Sequence, residues 1–188
     1  MAADSNDFEF TSEEIPRTLD DRFRVQIPFR LQRVLDNSVE IFGDENAKRT
    51  PIKEDSKGNV ACTLAKERIG CLSLWHRAAW VNKLEGDMSV IRGKVQSRKL
   101  EQRFEQVQLL GRLLSTRAEE VDLTFKGAPG ARLLIPKRFR DFLGVEPNSA
   151  VMIVAAAYSI EIWNPTAWNE YLTATIPDFH KLLDELVH

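Results

Sequence analysis

The sequence predicts an α+β fold in which two tandem, pseudo-symmetric β-α-β-β repeats form one compact barrel-like unit with flanking helices. Three observations carry this. Arg24-Val25-Gln26-Ile27-Pro28, followed by Arg30 and Leu35, recurs as Arg132-Leu133-Leu134-Ile135-Pro136, followed by Arg138 and Leu143, at a constant spacing of 108 residues. Leu72-Ser73-Leu74-Trp75 with Ala79-Trp80 recurs as Ile160-Glu161-Ile162-Trp163 with Ala167-Trp168 at a spacing of 88, and the chain has only 4 tryptophans, so their paired spacing is informative. The drop from 108 to 88 requires an insertion in the first copy, and the polar stretch over residues 36–59, with Gly43, Pro51 and Gly58, is where a surface loop fits.

Each copy has the same order of elements. A short strand ends over Arg24 to Ile27 and again over Arg132 to Ile135. Proline then stands at the first helical position, where its missing N–H costs nothing. A short helix follows; in the second copy Phe139, Phe142 and Leu143 form its apolar face and Gly144 is placed to end it in the left-handed conformation. Two strands complete the repeat, over Val60 to Leu64 and Cys71 to Trp75 in the first copy and Val151 to Ala155 and Ser159 to Trp163 in the second. The tryptophans sit at strand ends and helix starts in matched slots, which predicts packing beneath the helices rather than base stacking.

The domain boundaries follow from these elements. Residues 1–12 are acidic and read as a disordered arm, residues 13–85 as the first repeat, and residues 116–172 as the second. Between them, residues 97–115 form a linking helix with Leu100, Phe104, Val107 and Leu110 or Gly111 along one stripe. Asn164-Pro165 opens a helix with Trp168 and Leu172, and residues 173–188 supply a C-terminal helix from about Asp178 to Val187.

Composition excludes several classes of function. No apolar run approaches the roughly 20 residues that span a bilayer, and the acidic start does not resemble a secretory signal, so the expected location is the cytoplasm. Cys62 and Cys71 match neither a redox pair nor a zinc spacing and are expected as buried thiols. His76, His180 and His188 are scattered, and the chain shows no nucleophile elbow, phosphate loop or metal-spaced cluster; neither an enzyme, a cofactor nor a small-molecule substrate is expected.

The net charge of −2 hides a local concentration of arginine. Arg17, Arg22, Arg24, Arg30 and Arg33 face only Asp20 and Asp21 in the first motif, and Lys126, Arg132, Lys137, Arg138 and Arg140 face no acid in the second. Guanidinium groups on paired strands suit phosphate and guanine edges, although a solvated or acid-paired face has the same composition.

In these residues the chain resembles MraZ, a bacterial transcriptional regulator family related to the AbrB-type swapped-hairpin DNA binders. The family carries two D-x-x-x-R motifs, each leading into a short apolar strand and often into proline and a basic helix. Asp20-Asp21-Arg22-Phe23-Arg24 with Val25 to Pro28 resembles the first, Gln106 to Gly111 the linking helix, and Arg132 to Ile135 with Ile162, Trp163 and Trp168 the second half. The second motif departs from the pattern: at the constant spacing Ala128 stands where Asp belongs, and aligning Glu13 with Glu119 makes the turn before Arg132 two residues longer. Phe23 replaces the glycine usual before the arginine, and Asp55 to Gly58 is a decoy of the motif inside the insertion.

The resemblance implies a ring-shaped homo-oligomer, nucleoid-associated, that regulates the cell division and cell wall gene cluster by binding repeated operator boxes in double-stranded DNA. Arg22, Arg24, Arg30, Lys126, Arg132 and Arg138 are the implied DNA-binding residues, with Asp20 as the acid that orients Arg24. The departures leave an oligomeric interaction protein without DNA binding as the alternative.

Overall fold

The computed structural model describes residues 13–43, 58–97, 103–125 and 130–188. The first copy supplies β1 (Glu14–Thr18), β2 (Arg24–Pro28), α1 (Gln32–Phe42), β3 (Asn59–Arg68), β4 (Cys71–His76) and α2 (Arg77–Gln96). After α3 (Phe104–Arg117) the second supplies β5 (Ala118–Thr124), β6 (Gly130–Leu134), α4 (Lys137–Leu143), β7 (Ala150–Ala156), β8 (Ser159–Trp163) and α5 (Pro165–Thr175), followed by α6 (Phe179–Val187).

The strands form one antiparallel sheet in the order β1-β7-β8-β4-β3-β5-β6-β2. The Asp20 amide donates to the Arg24 carbonyl at 2.9 Å, which joins β1 to β2 and nearly closes the sheet into a barrel. The copies are interleaved: β1 pairs with β7, β5 with β3, and β2 with β6. Neither copy can complete its sheet without strands from the other. Two self-pairings mark the pseudo-dyad, with Val25 opposite Leu133 on β2–β6 and Ser73 opposite Glu161 on β4–β8.

Alternation along the strands sends Val25, Ile27, Leu64, Leu74, Leu133, Ile153 and Ile162 into one core, which the first-copy Leu31 and Leu35 and the second-copy Phe139 and Leu143 cap. The tryptophans are buried in two smaller matched clusters, Trp75 with Trp80 and Trp163 with Trp168, their ring centres 6.0 and 5.1 Å apart. Cys62 and Cys71 are buried free thiols. Burial pushes the Cys62 thiol up to about 12 and raises Cys71 as well, so neither is a thiolate at neutral pH.

Four local expectations change. Pro28 and Pro136 cap their helices with extended backbone (ψ 140° and 147°) rather than occupying the first helical turn. The first copy enters its helix through a 3-10 turn, Phe29–Leu31, and α1 runs on to Phe42, through residues 36–42 of the expected loop. Its polar residues there are helical because Asn37, Ser38 and Val39 are buried and the Ser38 hydroxyl donates to the Leu35 carbonyl at 2.6 Å. Residues 44–57 of that loop, with all of the decoy but Gly58, and residues 1–12 and Leu100 lie outside the described residues, and Asn59 at the loop's end opens β3. Finally, α2 continues as a helix well past residue 85.

The fourth change concerns register. Arg17 lies opposite Val151 and Thr18 opposite Ala150, while the equivalent β5 partners are Val121 opposite Cys62 and Asp122 opposite Ala61. The next residues, Leu19 and Leu123, are both 1% exposed. Asp20 is therefore matched by Thr124, which pairs directly with Arg132, and not by Ala128. Three residues separate Asp20 from Arg24 and seven separate Thr124 from Arg132, so the second turn is longer by four residues rather than two.

Candidate nucleic-acid interface

On the β2–β6 ribbon the inward positions are taken by Val25, Ile27, Ala131 and Leu133, which leaves Arg24 and Gln26 on the outer face of β2 and Arg132 and Leu134 on that of β6. Arg24 is opposite Leu134 and Gln26 opposite Arg132. The two arginines are thus diagonal neighbours across the dyad, a relation that places side chains about 7–8 Å apart at the backbone. Their charge is confined to one narrow exposed strip. A two-stranded ribbon of this kind is among the elements that the major groove of B-DNA admits.

Asp20 fixes one of the two arginines. Its Oδ1 accepts the amides of Arg22 at 2.9 Å and Arg24 at 2.8 Å, and its Oδ2 accepts Arg24 Nε at 2.6 Å. The carboxylate thereby closes the turn and holds the guanidinium from its Nε side, a contact that does not use the Nη groups. Partial desolvation raises the Asp20 pKa, but the Arg24 amide and side chain and the Arg22 amide outweigh it and hold the carboxyl below its ordinary range. Asp20 is consequently charged throughout the neutral range.

Phe23 completes the turn with φ 59°, a left-handed backbone that a bulky residue adopts only when its surroundings compensate. The compensation is visible: the Arg140 guanidinium lies 3.9 Å above the Phe23 ring, Arg140 Nε donates to the Ile135 carbonyl at 2.9 Å, and the Ile135 amide donates to the Phe23 carbonyl at 2.9 Å. The turn of one copy is thus fastened to the helix start of the other.

The six arginines and lysines expected at the interface divide into groups. Arg22, Arg24 and Arg132 lie on or beside the exposed ribbon. Arg30 and Arg138 are held in surface ion pairs, Arg30 with Glu13 and Arg138 with Glu119 at 2.5 Å while also donating to the Ala118 carbonyl. Lys126 lies outside the described residues, as does Ala128. Gln26 and Thr124 were missed. Gln26 alternates with Arg24 along β2 and so shares its face, a period-two signal legible in the sequence; Thr124 becomes visible only through strand pairing.

Among the described residues, no His, Cys, Asp and Glu side chains form a group that could hold a metal, and no helix is long and apolar enough to cross a membrane. Residues 117–185, from the end of α3 into α6, are similar to the family described as "MraZ protein, putative antitoxin-like". No curated protein matches the chain.

Proposed function

We propose that this chain, MraZ-like across its second repeat, is a sequence-specific DNA-binding transcriptional regulator that acts as a ring-shaped oligomer on repeated operator boxes. The observation that carries the proposal is the exposed Arg24 and Arg132 pair on the self-paired β2–β6 ribbon, with Arg24 held by Asp20. The ribbon is the reading element, and the two copies read differently. Arg24 is presented as an oriented fork suited to a guanine edge, whereas Arg132 pairs with Thr124, the residue that matches Asp20, and suits a phosphate. Several such ribbons around a ring would engage repeated boxes together, raising overall affinity with no new contact.

A band-shift assay across salt concentrations, with DNA from the protein's own upstream region, tests this. Arg24→Ala should cost about 1–3 kcal/mol on the preferred sequence and leave the salt slope nearly unchanged. Arg132→Ala should weaken all sequences alike and flatten the log–log slope by about 0.9. The second reading is an oligomeric interaction protein without DNA binding, favoured by the acid-paired Arg30 and Arg138. It replaces the first if neither substitution changes DNA affinity in a folded oligomer.

A further inference from the structure

Two sets of helices outside the barrel leave their apolar side chains uncovered. The first is the arm of α2 and α3, where Val90, Val95, Phe104, Leu109 and Leu113 are 47–65% exposed and α3 buries no residue. The second is the tail from Ile176 through α6, where Ile176, Phe179, Leu182, Leu183, Leu186 and Val187 are 48–77% exposed and α6 buries none. Large apolar side chains exposed in such numbers on neighbouring helix turns mark interaction surfaces. Charge distinguishes the two surfaces. Residues 89–96 and 104–115 of the arm carry Arg92, Lys94 and Arg112 against Glu105, whereas residues 176–187 of the tail carry Asp178, Asp184 and Glu185 against Lys181.

We infer that the occupant of each surface is a second copy of this chain: the acidic tail of one copy docks on the basic arm of the next. The fold keeps the two surfaces apart within a chain. The arm leaves β4 and the tail follows β8 and α5, elements related by the pseudo-dyad, and α6 packs chiefly on the 3-10 turn Ile176–Asp178 before it. Two complementary surfaces that do not meet on one chain make a head-to-tail contact, and such contacts repeat until they close as a ring or continue as a filament. An isologous tail-to-tail contact would instead set two surfaces of net negative charge, three acids and one lysine each, against each other.

The inference deepens the ring reading and rests on it, and light-scattering masses separate the two. The wild type should run well above one 21.5 kDa chain. A tail variant, Leu182→Asp with Leu186→Asp, and an arm variant, Leu109→Asp with Leu113→Asp, should each run as a single chain. Mixed together they should form a dimer and nothing larger, because only one intact tail and one intact arm remain. The milder pairs Leu182→Ala with Leu186→Ala and Leu109→Ala with Leu113→Ala, at positions that bury little in a single chain, should keep thermal unfolding cooperative while raising the dissociation concentration at least tenfold. A single-chain wild type overturns both readings. An oligomeric wild type with equally oligomeric tail and arm variants overturns only the docking, as does a mixture that stays monomeric or an arm variant that self-associates through its tail. A wild type that runs on as filaments supports the docking and refutes the ring.

Discussion

Replacing Asp20 by Ala and by Asn separates geometry from charge in the first-copy turn. Asp20 contributes two amide caps through Oδ1 and one ion pair through Oδ2. The side chains of Asp20 and Arg24 are both 37% exposed, so water and salt screen the ion pair, which is worth about 0.5 kcal/mol. A side-chain cap on backbone amides is worth about 1 kcal/mol. Alanine removes both and should destabilise by about 1.5 kcal/mol, whereas asparagine keeps an oxygen for the amides and should cost only about 0.5 kcal/mol. Urea unfolding followed by tryptophan fluorescence measures the difference. Because the folded pKa of Asp20 is depressed, its charge contributes stability above the unfolded value of about 3.9 and loses it as pH falls through the folded value. The gap between wild type and Asp20→Asn should therefore narrow below about pH 4. Equal losses for Ala and Asn at neutral pH would refute the division, and a wild-type midpoint for Asp20→Ala would refute the cap itself.

Three further outcomes follow from the same geometry. Thr124→Asp should supply the missing acid beside Arg132 and sharpen sequence discrimination in the band-shift assay by up to about 1 kcal/mol, while Ala128→Asp should leave discrimination unchanged; the reverse result would restore the constant-spacing alignment. Glu161 is pushed up by burial and by the nearby Glu67, against the hydrogen bond from Trp163 Nε1 at 2.8 Å, so its ionisation opposes folding. Glu161→Gln should match wild type below the unfolded carboxylate range and exceed it in thermal stability as pH rises through the folded pKa, and a constant difference across pH would contradict this. In Gly130→Ala the new Cβ would sit 2.5 Å from the Ile27 carbonyl oxygen, so β2 and β6 must part; a loss of about 1–3 kcal/mol in urea unfolding is expected, and a neutral result would mean that the ribbon yields without cost.

The repeat was legible because its two halves pack against each other at the dyads. Val25 and Leu133, or Leu74 and Ile162, occupy equivalent positions in one core, so apolar identity recurs at a fixed spacing. Gly144 was legible for a local reason: it ends α4 with φ 70°, ψ 47°. What the sequence did not reveal depends on partners far along the chain. Composition marked Asn37 and Ser38 as loop residues, but they are buried in a helix between sheet elements. The acid pairing of Arg30 and Arg138 was equally hidden, since Glu13, just before β1, and Glu119, on β5, lie 17 and 19 residues away. Charge counted along the chain therefore overstated the positive charge available to a ligand. Among the described residues, Arg24 and Arg132 are basic side chains that share the outer face of one ribbon.

The same physics explains why the copies agree on the ribbon and differ in the turn. On β2–β6 every residue faces its own counterpart's neighbourhood: Arg24 meets Leu134 while Arg132 meets Gln26, and a slip of one residue in either strand would send Arg24 or Arg132 inward and Val25 or Leu133 out. Both spacing and polarity are constrained twice. The turns leading into these strands are constrained only by their ends. In the first copy three residues suffice because Asp20 binds the arriving amides and Phe23 takes the left-handed backbone under Arg140. In the second, Thr124 and Arg132 pair as strand residues, so seven residues can intervene without disturbing the register on either side. The fold thus holds both arginines at matched positions while allowing one to be clamped and the other not, and that difference is what the Thr124→Asp and Arg132→Ala variants measure.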